Sequence, residues 1–122
     1  MTTVRRTSAR LPATASSARI AREMISEVTG RADNPAIATI VTELVTNAVR
    51  HARAGPVVSI GQTGAVVRIE VFDDGPGRPV MAPADPDALS GRGMAIVDTV
   101  AERWGVDESR CGKTVWAEVT VD

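Results

Sequence analysis

Residues Pro35 to Ala52 constrain this chain more than any other stretch. Ile37, Ile40, Val41, Leu44, Val45, Ala48 and Ala52 recur at three- and four-residue intervals, the period of one helix face. Asn34-Pro35 offers an N-cap followed by proline at the first helical position, and Gly55-Pro56 stops the run. A helix with so continuous an apolar stripe must cover a partner layer. Its polar edge is chemically dense. Glu43 and Asn47 stand one turn apart on the same side, just beside the apolar face. His51 continues that row towards the core edge, and Arg50 lies on the polar side.

A carboxylate and a carboxamide one turn apart suit two jobs at one site. The carboxylate can orient or deprotonate a nucleophile. The amide oxygen is a hard, neutral ligand of the kind Mg²⁺ accepts alongside water and phosphate oxygens. The plainer reading is a solvated helix edge. For His51, a satisfied boundary histidine is the better expectation than a ligand.

The remaining elements assemble around this helix. Residues Val4 to Leu11 alternate roughly and precede Pro12, which predicts an edge strand. Thr14 or Ser16 caps a first helix running to about Val28, closed by Gly30. After the long helix come strands Val57 to Gln62 and Val66 to Asp73, joined as a hairpin at Gly61 to Gly64. Residues Gly75 to Gly91 contain Pro76, Pro79, Pro83 and Pro86 and show no periodicity. So long an irregular stretch points to a functional loop. A third helix spans about Gly93 to Glu102, burying Met94, Val97, Val100 and Ala101. Trp104 to Asp107 and Thr114 to Val121 form a last strand pair, turned at Ser109 to Gly112. The order predicts an α+β two-layer sandwich, with three helices on one face of a mixed, mostly antiparallel sheet. No linker divides it, so residues 1–122 read as a single domain.

Composition narrows the function. The 122 residues are 43% hydrophobic and 24% charged, ordinary globular values. No apolar run is long enough to span a membrane, and no apolar segment backs the N-terminal arginines as in a signal peptide. The one cysteine, Cys111, has no disulfide partner and no zinc-site companions. A reducing cytoplasm fits best. Net charge is −1 and aromatics are few, which disfavours direct nucleic-acid binding. The first 22 residues nevertheless carry Arg5, Arg6, Arg10, Arg19 and Arg22 and no acid. That is either a solvated face or a docking surface for an acidic protein.

Three further motifs carry chemistry. Asp73-Asp74-Gly75-Pro76-Gly77 follows a strand. It is a turn, or a site where glycines admit a flat ligand and Asp73 accepts from an exocyclic amine. Asp74 would then be an indirect neighbour. Gly91-Arg92-Gly93-Met94 opens a helix, where free N–H groups can hold phosphate. It is neither a P-loop nor a dinucleotide fingerprint. At Gly112-Lys113-Thr114, either Lys113 or Thr114 can reach a nucleotide, or Gly112 merely makes a hairpin turn.

In this order, Glu43-x-x-x-Asn47, Asp73-x-Gly75-x-Gly77, Gly91-x-Gly93-Met94 and Gly112-x-Thr114 resemble the nucleotide-binding boxes of the GHKL ATPase superfamily. Residues 34 to 121 carry the match. The wording ELVTNAVRHA and GRGMAIVD looks like the anti-sigma-factor serine kinase branch. The resemblance implies the Bergerat α/β sandwich and binding of ATP with Mg²⁺. It implies Glu43 as catalytic base or water-orienting carboxylate, and Asn47 as the Mg²⁺ ligand. Asp73 would bind the adenine amino group in a pocket shaped by Gly75 and Gly77. An ATP lid would lie at about 75–91. Gly91, Arg92, Gly93 and Met94 would face the phosphates or hold the lid hinge, and Thr114 would lie near adenine.

The branch implies transfer of a phosphoryl group to a serine of an anti-anti-sigma factor, capture of a sigma factor, and a homodimer. Arg19 and Arg22 both match an arginine of the first helix that contacts the partner. Histidine kinases carry an upstream dimerisation helix pair, and topoisomerases, mismatch-repair proteins and chaperones carry transducer domains. The length of this chain favours a stand-alone module. The competing expectation is an ATP-gated binding module without kinase activity.

Overall fold

The computed structural model describes residues 4–30, 34–51, 53–75 and 89–121, with residues 89–93 by backbone only. The chain order is β1 (Val4–Arg10), α1 (Ser17–Thr29), α2 (Pro35–His51), β2 (Val57–Thr63), β3 (Val66–Asp73), α3 (Leu89–Val100), β4 (Arg103–Ser109) and β5 (Gly112–Thr120). This is the expected α+β sandwich. One layer is a five-stranded sheet in the order β1-β2-β3-β5-β4. The other is the helices, with α2 packed between α1 and α3 and lying on β3 and β5.

Every neighbouring pair in the sheet is antiparallel. This corrects the expectation of a mixed sheet. β3 and β4, joined through α3, do run the same way. The β4-β5 hairpin folds back so that β5 inserts between them, and β3 and β4 do not pair.

The helix ends follow local chemistry, with one exception. Asn34 caps α2 as its sequence predicts: Oδ1 accepts the Ile37 N–H at 3.0 Å. Gly30 ends α1 in the left-handed region, at φ 71°, with its N–H on Ser26 O. At the start of α1, neither Thr14 nor Ser16 gives a side-chain cap. Their hydroxyls bond each other at 2.7 Å, and the backbone carbonyls of Thr14 and Ser16 take the N–H groups of Ser17 and Ile20.

α3 begins at Leu89, four residues before the expected Gly93. Glycine weakens a helix by about 1 kcal/mol relative to alanine. Packing of α3 against α2 and β4 offsets that cost. The hairpin turns also shift slightly: β2-β3 turns at Gly64-Ala65 and β4-β5 at Arg110-Cys111.

The core lies between the layers. Ile37, Ile40, Val41, Leu44 and Val45 of α2 meet Val67, Ile69 and Val71 of β3 and Val115 and Ala117 of β5, all buried. Each fully buried aliphatic side chain contributes about 1.5–3 kcal/mol relative to exposure. The opposite face of the sheet carries a polar lattice. The Arg68 guanidinium lies 4.2 Å from the centroid of the Trp116 ring and bonds Glu118 at 3.1 Å; Arg103 bonds the other Glu118 oxygen. Among the described residues no helix is long and apolar enough to cross a membrane.

Candidate functional site

Topology brings several of the singled-out residues to one end of the sandwich. β3 ends at Asp73, and β5 begins directly opposite, with Asp73 paired to Lys113. The C-terminus of α2 reaches the same end, because its exit leads into β2, whose Val57 pairs with Phe72. α3 runs back antiparallel to β3 and finishes near Arg103, which pairs with Glu118 at the far end. Its N-terminal turn, containing Gly91 and Arg92, therefore lies at the Asp73 end. Gly93 follows in the second turn.

Strand periodicity decides which side chains enter. β3 buries Val67, Ile69, Val71 and Asp73; β5 buries Lys113, Val115, Ala117 and Val119. Asp73 and Lys113 thus end two adjacent inward rows, at 3% and 4% exposure. Asp73 Oδ1 accepts from the Gly75 N–H at 3.0 Å and from Lys113 Nζ at 3.0 Å. No donor reaches Asp73 Oδ2 among the described residues. The Gly75 bond folds the chain back over the carboxylate immediately after the strand.

Gly112 sets the approach of the two strands. A Cβ there would lie 2.1 Å from the Asp73 carbonyl oxygen, and its φ of 152° is one that side chains rarely adopt. The glycine does more than turn a hairpin: it lets β5 close onto Asp73 and Asp74. Thr114 points away, on the Phe72 side of the sheet. Of the two candidates, Lys113 is the one on the inward side, with Asp73. Local alternation shows that the two residues face opposite ways, but only the register with Asp73 shows which faces inward.

On α2, Asn47 lies inside the buried stripe at 7% exposure, and Glu43 is half-buried one turn earlier. Asn47 Oδ1 is buried and has no hydrogen-bond partner among the described residues. An unsatisfied buried acceptor costs about 1–3 kcal/mol. A hard neutral oxygen held in that state is suited to a divalent cation such as Mg²⁺. His51 is exposed at the last residue of α2, not at a core boundary. There it complements the helix C-terminus.

Met94 is 1% exposed and packs in the core. It anchors α3, because helical phase turns Met94 and Val97 inward. Gly77 and the expected lid over residues 76–88 lie outside the described residues.

Asp74 has a role that sequence reasoning missed. Its carboxylate accepts the backbone N–H groups of Arg53, at 2.7 Å, and Ala54, at 3.2 Å. The Arg53 bond is the main reason its pKa sits below the ordinary aspartate value, assisted by Ala54 and the Arg10 charge and opposed by burial. Asp74 thereby ties the exit of α2 to the Asp73 turn. Nothing local in Asp-Asp-Gly distinguishes a tether from a turn residue.

The two first-helix arginines separate. Arg22 Nη1 donates to Thr42 Oγ1 on α2 at 3.0 Å, beside Glu43. Arg19 is exposed.

Comparison with known proteins agrees with this fold. The profile of the histidine kinase-like ATPase domain family matches residues 3–119. Thirteen chains of solved structures match. One is the crystal structure of the RsbU and RsbW domains of a Mycobacterium tuberculosis protein, at TM-score 0.69 and 22% identity. The match covers 94% of this chain and 32% of that one. No curated protein matches.

Proposed function

The chain belongs to the histidine kinase-like ATPase family, and from that premise we propose that it is a Mg-ATP-dependent protein-serine kinase of the anti-sigma type. In this reading it phosphorylates an anti-anti-sigma factor and sequesters a sigma factor. The fold similarity to a structure containing an RsbW domain supports the choice of branch. The observation that carries the reading is the buried Asn47 Oδ1, unpartnered among the described residues, on the helix whose C-terminus meets the Asp73 turn.

Each residue then has a task. Asp73 Oδ2 accepts a hydrogen bond from the adenine amino group, while Gly75 and Gly112 let backbone close around the base. Asn47 Oδ1 would hold Mg²⁺, which when bound neutralises phosphate charge. Glu43 orients a serine hydroxyl and takes its proton as the phosphoryl group transfers. The N-terminal turn of α3, with Gly91 and Arg92, would bring backbone N–H groups towards the phosphates. Arg19 offers an exposed contact for an acidic partner, whereas Arg22 braces α1 against α2 beside Glu43.

One observation favours the second reading, an ATP-gated binding module without transfer. Among the described residues no group bonds Glu43, whereas catalytic bases are usually oriented by a third group. Labelled ATP and co-encoded regulator proteins separate the two. Label on a partner serine, lost in Glu43→Ala while ATP binding persists, supports the kinase. Equal silence of wild type and Glu43→Ala with every partner that binds would leave the gated module.

A further inference from the structure

Lys113 is the only lysine in the chain, and the proposed phosphoryl transfer does not use it. Its Nζ donates to Asp73 Oδ1 at 3.0 Å, with both side chains almost wholly buried. An ammonium carries three N–H donors. The other two meet no acceptor among the described residues. A buried ion pair offsets its desolvation only when its remaining donors and lone pairs are satisfied.

The pairing is also lopsided. Gly75 N–H and Lys113 Nζ both go to Oδ1, and Oδ2 receives nothing from the described residues. A lysine placed only to neutralise Asp73 has no reason to double up on the oxygen that Gly75 already serves. Among the described residues the arrangement leaves an open acceptor, Oδ2, next to open donors on Nζ. Val71 and Val115, paired with each other, are the next residues on the two inward rows, so hydrocarbon closes the inner side of the pair. Adenine presents the complement: an amino group flanked by ring nitrogens N1 and N7, which are acceptors.

We propose that Lys113 is a specificity-determining residue of the base subsite. Its ammonium donates to a ring nitrogen flanking the adenine amino group, while Asp73 Oδ2 accepts from that amino group. The inference rests on the assignment of Asp73 to the base. The subsite then offers one donor and one acceptor with no net charge, which suits a neutral base.

ADP, 1-deaza-ADP and 7-deaza-ADP are titrated into wild type and Lys113→Met. One of the two analogues binds wild type about tenfold more weakly than ADP, the effect of losing a hydrogen bond to a charged donor. Lys113→Met binds all three alike. If both analogues match ADP on wild type, or if the penalty survives in Lys113→Met, the proposal is overturned.

Loss of the countercharge can unfold the variant, so wild type carries a second measurement. Labelled with ¹⁵N-lysine, the protein has a single side-chain Nζ resonance. That resonance shifts on saturation with ADP and shifts less with the discriminated analogue. An unmoved resonance at saturating ADP rejects the role of Lys113 while leaving nucleotide binding intact. Absence of any ADP binding to wild type removes the Asp73 assignment and this inference together.

Discussion

Asp74 Oδ1 accepts the Arg53 backbone N–H at 2.7 Å, joining the segment that leaves α2 to the segment that leaves β3. α2 bears Asn47 and β3 bears Asp73. One carboxylate thus holds the two halves of the candidate site in a fixed relation, without touching either residue.

Asp74→Ala should speed amide hydrogen exchange at Arg53 and Ala54 and weaken ADP binding. Asp74→Asn, which keeps an acceptor, should lie between. Because the folded-state pKa of Asp74 is lowered, chiefly by the Arg53 bond, its stabilisation is present above the unfolded aspartate value. It is lost as pH falls through the folded value. The acid limb of wild-type unfolding should therefore be steeper than that of Asp74→Ala, as read by circular dichroism.

Glu118 makes a second acid-sensitive contribution, far from the site. Burial works to raise its pKa, but hydrogen bonds from Arg68 and Arg103 outweigh it, and the folded value is lowered. The contribution is present above the unfolded glutamate value and fades as pH falls through the folded one. Glu118→Gln should lower stability by about 1 kcal/mol at neutral pH, less in high salt, and by almost nothing in acid. Urea unfolding at two pH values measures this.

Gly112→Ala tests the closeness of β5 to the Asp73 backbone. The left-handed conformation alone should destabilise the variant by about 1–3 kcal/mol, before the contact with the Asp73 carbonyl is added. Substitution at Gly30 meets nothing within 4 Å, so Gly30→Ala should cost less. Thermal unfolding of the two variants ranks them.

Asn47→Leu should separate stability from function. Replacing an unsatisfied buried carboxamide by a hydrocarbon of similar size should stabilise the nucleotide-free protein by about 1 kcal/mol. The same change should abolish any Mg²⁺-dependent gain in ATP affinity. A destabilised variant with intact Mg²⁺ dependence would show that Asn47 is an ordinary core residue.

What was legible in the sequence follows from how local each signal is. α2 could be read almost to the residue, because its apolar stripe, Asn34 cap and Gly55-Pro56 stop all act within the helix. The start of α3 was missed, since glycines at 91 and 93 argue against helix locally while packing on α2 decides the outcome. The antiparallel sheet was misjudged as mixed because insertion of β5 between β3 and β4 is a long-range event. Asp73 could be singled out from its strand-end position beside glycine. Lys113 could not be chosen over Thr114, because register across two strands far apart in sequence sets which side chain faces inward. Met94 is buried as its helical phase predicts.

In the proposed function Asn47 and Asp73 belong to one Mg-ATP site. Calorimetric titration of ATP, with Mg²⁺ and with Mg²⁺ chelated, tests it most directly in wild type and Asn47→Ala. Mg²⁺ should tighten ATP binding to wild type and make no difference to Asn47→Ala. At about 100 times its Kd, Mg-ATP should also stabilise wild type by roughly 2.7 kcal/mol. Absence of binding at millimolar Mg-ATP, or the same Mg²⁺ dependence in both proteins, would contradict it.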